Sequence, residues 1–291
     1  MTNSNIRSES QLLRIPFHSE ATDDDREFLV YLPIGYEDDR DRRWPVILFL
    51  HGGGERGNGR DELDYAMRHG PLAEAWLYHR DLPFIIIAPQ LPVFAMHEQV
   101  QLRSGVPKPE RLPEGPLSRD LASRPGQPMA RAVDLSPAEF GVTAAWGDDG
   151  APGGWHLYGD DLIQILDTVL GAYRTDPDRV YLTGLSYGGY GTWFMAAAYP
   201  DRWAAAAPIC GDGNSQQVAG ISEKQLPMWI FHGGRDIRVK PRWSYDMANA
   251  LESAGHKSVR LTIHEDLGHD SWTRVYSGWD IYAWFLGYRR S

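Results

Sequence analysis

Apolar residues along the chain occur in short continuous runs that polar or glycine-rich segments separate. Runs this short, rich in Val, Ile, Leu and aromatic residues, are typical of strands that are buried on both faces. The predicted strands cover residues 12–17, 27–32, 44–50, 84–88, 178–183, 204–209, 227–232 and 259–264. An acidic turn at residues 22–25 joins the first two strands.

Other segments repeat their apolar residues with helical spacing, as in the stripe of Leu162, Ile165, Leu166 and Val169. The predicted helices cover residues 63–79 (with a second segment from Pro71), 160–172, 189–198, 243–254 and 279–288. We expect Asp160 or Asp161 to cap the helix 160–172. Strands alternating with helices predict one α/β domain over residues 1–291, with about eight mostly parallel strands and helices on both faces.

Residues 91–155 interrupt this alternation. They hold nine of the twenty prolines and eight glycines, and they also carry scattered apolar residues that favour packing on the rest of the chain. We interpret the segment as an insertion that passes over the strand ends as a lid or pocket wall. The alternative is a loosely ordered insertion without a catalytic role. Trp146 and Trp155 are candidate substrate contacts, although tryptophans in a chain with 11 of them also pack in cores or at rims.

Composition narrows the classes of function. The formal net charge of −10 and the pI of about 5.4 argue against a nucleic-acid or anionic-membrane partner. The single Cys210 excludes an internal disulfide, and no apolar run is long enough to span a membrane. Residues 1–5 lack the features of a signal peptide, so we expect a cytoplasmic protein or an exported one whose signal has been removed. Nothing in the composition indicates an oligomeric state.

The segment Gly184-Leu185-Ser186-Tyr187-Gly188 lies between a predicted strand and a predicted helix. A G-x-S-x-G sequence in this position is typical of a nucleophile elbow, a sharp turn that exposes the serine hydroxyl. Its glycines are needed because Cβ atoms there would collide with neighbouring backbone. Ser186 is therefore the candidate nucleophile.

A second glycine cluster, His51-Gly52-Gly53-Gly54, follows the predicted strand 44–50. Glycines at a strand end let backbone N–H groups point into a crevice, and such a group pairs with the N–H after the nucleophile to form an oxyanion hole. The expected donors are Gly53 and Tyr187. Gly54 is the alternative donor and a candidate substrate contact. We expect His51 to brace the loop by hydrogen bonding.

A serine nucleophile needs a base, and the base needs a third group that fixes its tautomer. Four histidines follow Ser186, of which His269 lies in a loop directly after the last predicted strand, on the side of the sheet that carries the elbow. His256 follows a glycine that ends a helix, so we expect it to be exposed. The other two, His232 and His264, lie at or within strands.

Asp236 is the expected acid. It follows the predicted strand 227–232, 50 residues after Ser186 and 33 before His269, which is the chain order of such triads. Asp212, at the end of the preceding strand, is the second candidate. We expect Asp270 to cap a helix, because it is too close to His269 in sequence to orient that ring.

No metal or cofactor is expected. The histidines show no H-E-x-x-H spacing, and the glycine-rich loop lacks the Lys-Ser/Thr of a phosphate-binding loop.

Four segments together resemble the α/β-hydrolase superfamily: residues 48–57, 184–189, 232–236 and 268–272. More narrowly, they are similar to bacterial phospholipase/carboxylesterase-like and "predicted peptidase" members, relatives of feruloyl esterases and polyhydroxybutyrate depolymerases. The resemblance implies an α/β-hydrolase fold and ester hydrolysis through an acyl-enzyme. It also implies a triad of Ser186, Asp236 and His269 and a small-molecule ester as substrate.

Three alternatives remain at this point: a peptidase with the same triad, an acyltransferase, and a non-catalytic binding protein of the same fold. The insertion at 91–155 departs from the family pattern, so substrate preference does not carry over from the relatives.

Overall fold

The computed structural model describes residues 7–94, 106–112 and 153–290. Most of the predicted lid, and with it the candidate contact Trp146, lies outside these residues.

The described strands form one eight-stranded sheet, in the order β1-β2-β4-β3-β5-β6-β7-β8. The first two strands pair antiparallel, β2 also runs antiparallel to β4, and all other pairs are parallel. The prediction of a mostly parallel sheet is therefore confirmed. The strands are β1 Gln11–Ser19, β2 Asp24–Leu32, β3 Trp44–Leu50, β4 Ile85–Ala88, β5 Thr175–Leu185, β6 Ala205–Ile209, β7 Met228–Gly233 and β8 Val259–His264.

Burial on both faces explains why the central strands read as unbroken apolar runs. In β3, Val46, Leu48 and Leu50 belong to one apolar cluster, while Ile47 and Phe49 belong to the cluster on the other face. Successive side chains of a strand point to opposite faces, so a strand covered twice has no polar position.

Helices cover both faces, as predicted. Side chains of α2, α3, α4 and α5 belong to one apolar cluster, and side chains of α1, α6 and α7 to the other. The helices are α1 Gly70–Leu72, α2 Gly159–Ala172, α3 Tyr187–Ala198, α4 Ser215–Glu223, α5 Pro241–Ser253, α6 Trp272–Ser277 and α7 Asp280–Leu286.

Several local expectations were wrong. The segment 63–79 is not one helix in two parts but a 3₁₀ turn Leu63–Met67, the single turn α1 and a π turn Ala73–Leu77. Helix α4 was not predicted, although Asn214 and Gln217 form a capping box at its start. No side chain caps α2, because Asp161 instead accepts hydrogen bonds from Ser19 Oγ and two backbone N–H groups of the β1–β2 turn.

The topology brings five loops to one edge of the sheet. Strands β3, β5, β6, β7 and β8 are mutually parallel, so their carboxyl ends lie at the same edge. In open α/β sheets this edge is where ligands bind. The loops that follow these strands carry Gly53, Ser186, Asp212, Asp236 and His269.

Candidate active site

Ser186 occupies the sharp turn between β5 and α3. Its backbone has φ 52° and ψ −117°, a conformation that non-glycine residues rarely adopt and that exposes the side chain at the turn. A hydrogen bond from Ser186 N–H to the carbonyl of Ile209, at the end of β6, stabilises the turn.

Two glycines make this turn possible. A Cβ on Gly184 would lie 2.3 Å from the carbonyl oxygen of Gly188, and a Cβ on Gly188 would lie 1.8 Å from the carbonyl oxygen of Leu50. Both contacts are with backbone, which cannot move aside as a side chain would. The predicted steric reason for the elbow glycines agrees with this geometry.

Substituting alanine for Gly188 is expected to lower the free energy of unfolding by at least about 3 kcal/mol, because α3 and the end of β3 must separate to admit the methyl group. Urea unfolding followed by circular dichroism measures the loss. Gly171→Ala is the matched control. Nothing lies within 4 Å of a Cβ at this helical glycine, so the variant should be as stable as the parent or more so. Equal stability of the two variants would contradict the steric explanation.

His269 lies between Ser186 and Asp236. Its Nε2 is 2.9 Å from Ser186 Oγ, and its Nδ1 is 2.6 Å from Asp236 Oδ2. An ionised carboxylate only accepts hydrogen bonds, so Nδ1 carries the hydrogen and Nε2 accepts from the serine hydroxyl. This is the tautomer that a general base requires.

Asp236 is buried and its carboxylate is saturated with donors. Oδ1 accepts the backbone N–H groups of Arg238 at 2.8 Å and Val239 at 3.0 Å. Oδ2 lies near ring nitrogens of both His269 and His232. Burial raises the pKa of this carboxyl, yet the bonds from His232 and His269 outweigh burial and hold the pKa well below its ordinary value. The group is therefore a permanent anion at neutral pH.

His51 braces the glycine loop and takes no part in the line of acid and base. Its Nε2 accepts the backbone N–H of Leu91 at 2.9 Å, and its Nδ1 donates to the carbonyl of Gly52 at 2.7 Å. Both nitrogens of a neutral imidazole are thus used. The ring also packs edge-on against Trp155, at 5.1 Å between centroids.

A cavity of about 590 Å³ opens over Ser186 and His269. Gly53 and Tyr187, the expected oxyanion donors, line it, and so does Gly54. Tyr187 is the first residue of α3, so its N–H belongs to the helix start, where amides point outward from the helix end.

Trp155 is not a substrate contact, contrary to expectation. Its side chain has no exposed surface, its indole N–H donates to the carbonyl of His51, and it packs where Gly191 leaves room on α3. Trp155 therefore supports the glycine loop from within the core.

Two further expectations about this region are corrected. His256 is buried, since its Nε2 bonds to the carbonyl of Leu226 and its Nδ1 accepts the N–H of Ser258. Asp270 does not cap a helix: it lies inside the 3₁₀ turn His269–Ser271, and α6 begins without a side-chain cap.

The cavity also contains residues to which the sequence analysis assigned no role of their own. His69 and Trp272 line it, and the Trp272 ring stands edge-on to His269 at 5.1 Å between centroids. Their contribution depends on the packing of α1 against α6, which no local sequence signal reveals.

Asp212, the second candidate acid, is buried at the end of β6, and its Oδ1 has no hydrogen-bond partner among the described residues. Burial raises its pKa to about 7, and the negative charge of Asp246 adds to this although a backbone bond from Gly213 opposes it. The line of bonds from Ser186 runs through His269 to Asp236 and does not include Asp212.

Asp212 should make the protein less stable as pH rises. The carboxyl of Asp212 binds its proton more tightly in the folded chain than in the unfolded chain. Protonation of Asp212 therefore stabilises the fold fully at low pH, and this stabilisation is lost between about pH 4 and pH 7. In urea unfolding, the advantage of Asp212→Asn over the parent should therefore grow by about 2 to 3 kcal/mol from pH 5 to pH 8. Asp201→Asn, at an exposed position, should show no such growth. A pH-independent difference for Asp212→Asn would contradict the expectation.

One group within the described ranges could hold a metal ion: Cys210, Asp236 and His269, whose ligand atoms lie within 4.8 Å of one another. Asp236 and His269 are already hydrogen-bonded to each other, and burial raises the pKa of the Cys210 thiol to about 12. A metal needs the thiolate, so this donor set fits proton transfer better than metal binding. Among the described helices, none has the length and apolar character that a membrane span requires.

Comparison with known proteins supports the fold. The sequence profile of the "Prolyl oligopeptidase family" matches residues 153–215. A solved structure titled a thermostable esterase is 25% identical, with a TM-score of 0.65, over 96% of this chain and 63% of that one. The chain therefore has the α/β-hydrolase fold, and it resembles serine hydrolases of the esterase kind.

Curated relatives match over shorter stretches. The poly(3-hydroxyalkanoate) depolymerase C of Paucimonas lemoignei is 52% identical over 48 residues, 16% of this chain and 12% of that protein. The bifunctional acetylxylan esterase/xylanase XynS20E of Neocallimastix patriciarum is 39% identical over 69 residues, 24% of this chain and 10% of that protein. The matched stretches thus span only a small part of these relatives.

Proposed function

We propose that the chain hydrolyses carboxylic esters through an acyl-enzyme intermediate on Ser186. The observation that carries the proposal is the line of two hydrogen bonds from Ser186 Oγ through His269 to Asp236, at 2.9 Å and 2.6 Å. A hydroxyl in a strained turn, a neutral imidazole in the accepting tautomer and a buried anion behind it are the parts that acyl transfer requires.

The reaction begins when His269 Nε2 takes the proton of Ser186 as Oγ attacks the ester carbonyl. The imidazolium that forms is stabilised by Asp236, whose charge is fixed by its donors. We assign the N–H groups of Gly53 and Tyr187 to the oxyanion, because both residues line the cavity beside Ser186. The alcohol leaves with the proton from His269, and water then releases the acyl group by the same steps in reverse.

The esterase and depolymerase names of the relatives support an ester substrate. A peptidase with the same triad is the second candidate, because residues 153–215 match the profile of the prolyl oligopeptidase family. That match covers the elbow and its surroundings, which both kinds of hydrolase share, so it bears on the nucleophile more than on the substrate.

A panel of unactivated alkyl esters and of peptide anilides tests the proposal. We expect hydrolysis of short alkyl esters and, with 4-nitrophenyl acetate, a burst of nitrophenol that reports accumulation of the acyl-enzyme. Cleavage of peptide anilides with a kcat/KM equal to or above that for the esters would favour the peptidase instead. Release of nitrophenol with no turnover of any alkyl ester would contradict the proposed function.

A further inference from the structure

We propose that His232 is a positioning residue for the catalytic acid: its Nε2–H holds Asp236 in the orientation that receives His269. The inference rests on the proposed function, because it concerns the acid of the same site. His232 is the first residue of the segment 232–236, and the sequence assigned it only a place at the end of a predicted strand.

The contacts of His232 determine its tautomer. Its ring is fully buried, with Nε2 2.9 Å from the carbonyl oxygen of Val239 and 3.2 Å from Asp236 Oδ2. Both of these oxygens only accept hydrogen bonds, so Nε2 must carry a hydrogen that the two share. On the other side of the ring, Nδ1 is 2.7 Å from Ser244 Oγ on α5, whose hydroxyl can donate to it. A neutral Nε2–H ring therefore satisfies every contact.

These bonds close a ring around the acid. Val239 donates its N–H to Asp236 Oδ1, its own carbonyl accepts from Nε2 of His232, and the same Nε2 lies 3.2 Å from Asp236 Oδ2. With donors on both oxygens, the carboxylate cannot rotate about its Cβ–Cγ bond without breaking its hydrogen bonds to Arg238, Val239 and His269 in a buried site. Oδ2 therefore stays directed at Nδ1 of His269, at 2.6 Å.

The order of activity among three substitutions separates positioning from packing. His232→Ala and His232→Leu both remove the donor, and leucine restores most of the volume. His232→Gln retains an N–H group that can reach Asp236 or Val239. We expect the alanine and leucine variants to lose about 10- to 100-fold in kcat with KM changed less than about threefold, and glutamine to recover most of the loss.

A second measurement on the same variants, the rate of labelling by an active-site probe, does not require the substrate to be known. The rate at which a fluorophosphonate probe labels Ser186 reports how well His269 activates the hydroxyl, and it should fall and recover in the same order. If the wild-type protein labels but hydrolyses no ester, the proposed function fails while this order still decides the role of His232. A wild-type protein that does not label overturns both, since there is then no activated serine for His232 to support.

His256→Ala is the matched control, because His256 is also buried, but its hydrogen bonds within the described part of the chain go only to backbone groups of Leu226 and Ser258. It should lose stability without loss of labelling. If the leucine variant is labelled as fast as the wild-type protein, the ring of His232 acts only by packing. The same conclusion follows if His256→Ala slows labelling as much as His232→Ala does.

A spectroscopic measurement covers the case in which the His232 variants do not fold. The ¹⁵N chemical shifts of the wild-type imidazoles distinguish the two neutral tautomers. We expect the Nε2–H form for His232 and the Nδ1–H form for His269. The Nδ1–H form at His232 would leave Asp236 Oδ2 without this donor and overturn the proposal.

Discussion

Replacing Ser186 with alanine is expected to reduce ester hydrolysis about 10⁵- to 10⁶-fold, to the level that binding and oxyanion donors alone provide. The loss should appear in kcat, because the hydroxyl forms the acyl-enzyme and contributes little to holding the substrate. Alanine also relieves nothing in the strained turn, since φ remains 52° with a Cβ still present. Fold and stability should therefore stay close to those of the parent.

The variant is measured with 4-nitrophenyl acetate and with a fluorophosphonate probe, beside circular dichroism to show that it is folded. Ser215→Ala is the control, as Ser215 is exposed at the start of α4 and does not line the cavity. Labelling of the Ser186→Ala protein, or activity within about 100-fold of the parent, would place the nucleophile elsewhere.

The parts of the site that the sequence predicted are those set by local sterics and by strand order. Gly184 and Gly188 predict the elbow because no side chain fits at these positions between β5, α3 and the end of β3. The apolar runs of the central strands indicate burial on both faces, which in turn places the loops after them at one edge. Position in the chain then favoured Asp236 and His269, with Asp212 as the second candidate for the acid.

The expectations that failed depend on packing between distant segments. Trp155 lies beside a glycine-rich loop in the way a pocket residue would, but the space left by Gly191 admits it to the core. His256 follows the glycine just after α5, yet its ring is buried and bonds to the carbonyl of Leu226, about thirty residues earlier. No pattern within either segment contains this information.

His232 shows the same limit at the site itself. Its spacing of four residues from Asp236 is visible in the sequence, but a histidine at a strand end is as consistent with packing as with function. Only the positions of Val239 and Ser244 show which nitrogen carries the hydrogen, and therefore that the ring donates to the acid.

Replacing Asp236 with asparagine should reduce kcat about 10⁴-fold, through the wrong tautomer of His269 and not through loss of the fold. Three donors surround the carboxylate besides His269: the N–H groups of Arg238 and Val239 at Oδ1, and Nε2–H of His232 near Oδ2. An asparagine amide must put its NH₂ in place of one oxygen. At Oδ1 it would face two backbone N–H groups, so the NH₂ is expected at Oδ2.

There the amide donates to Nδ1 of His269, and the hydrogen of the ring moves to Nε2. A protonated Nε2 cannot accept the proton of Ser186, so the base is lost although every heavy atom remains near its place. The same amide also meets Nε2–H of His232, donor against donor, which we expect to lower the free energy of unfolding by about 1 to 3 kcal/mol. Steady-state kinetics and urea unfolding measure the two effects, with Asp201→Asn as the exposed control.

Asp212→Asn completes the comparison, because it removes the other candidate acid at the same sheet edge. It should leave kcat within about threefold of the parent, since Asp212 is no part of the line of bonds from Ser186 to Asp236. If Asp212→Asn loses activity and Asp236→Asn keeps it, Asp212 at the end of β6 is the acid. The ring of His269 must then turn from Asp236 to Asp212 before the reaction begins.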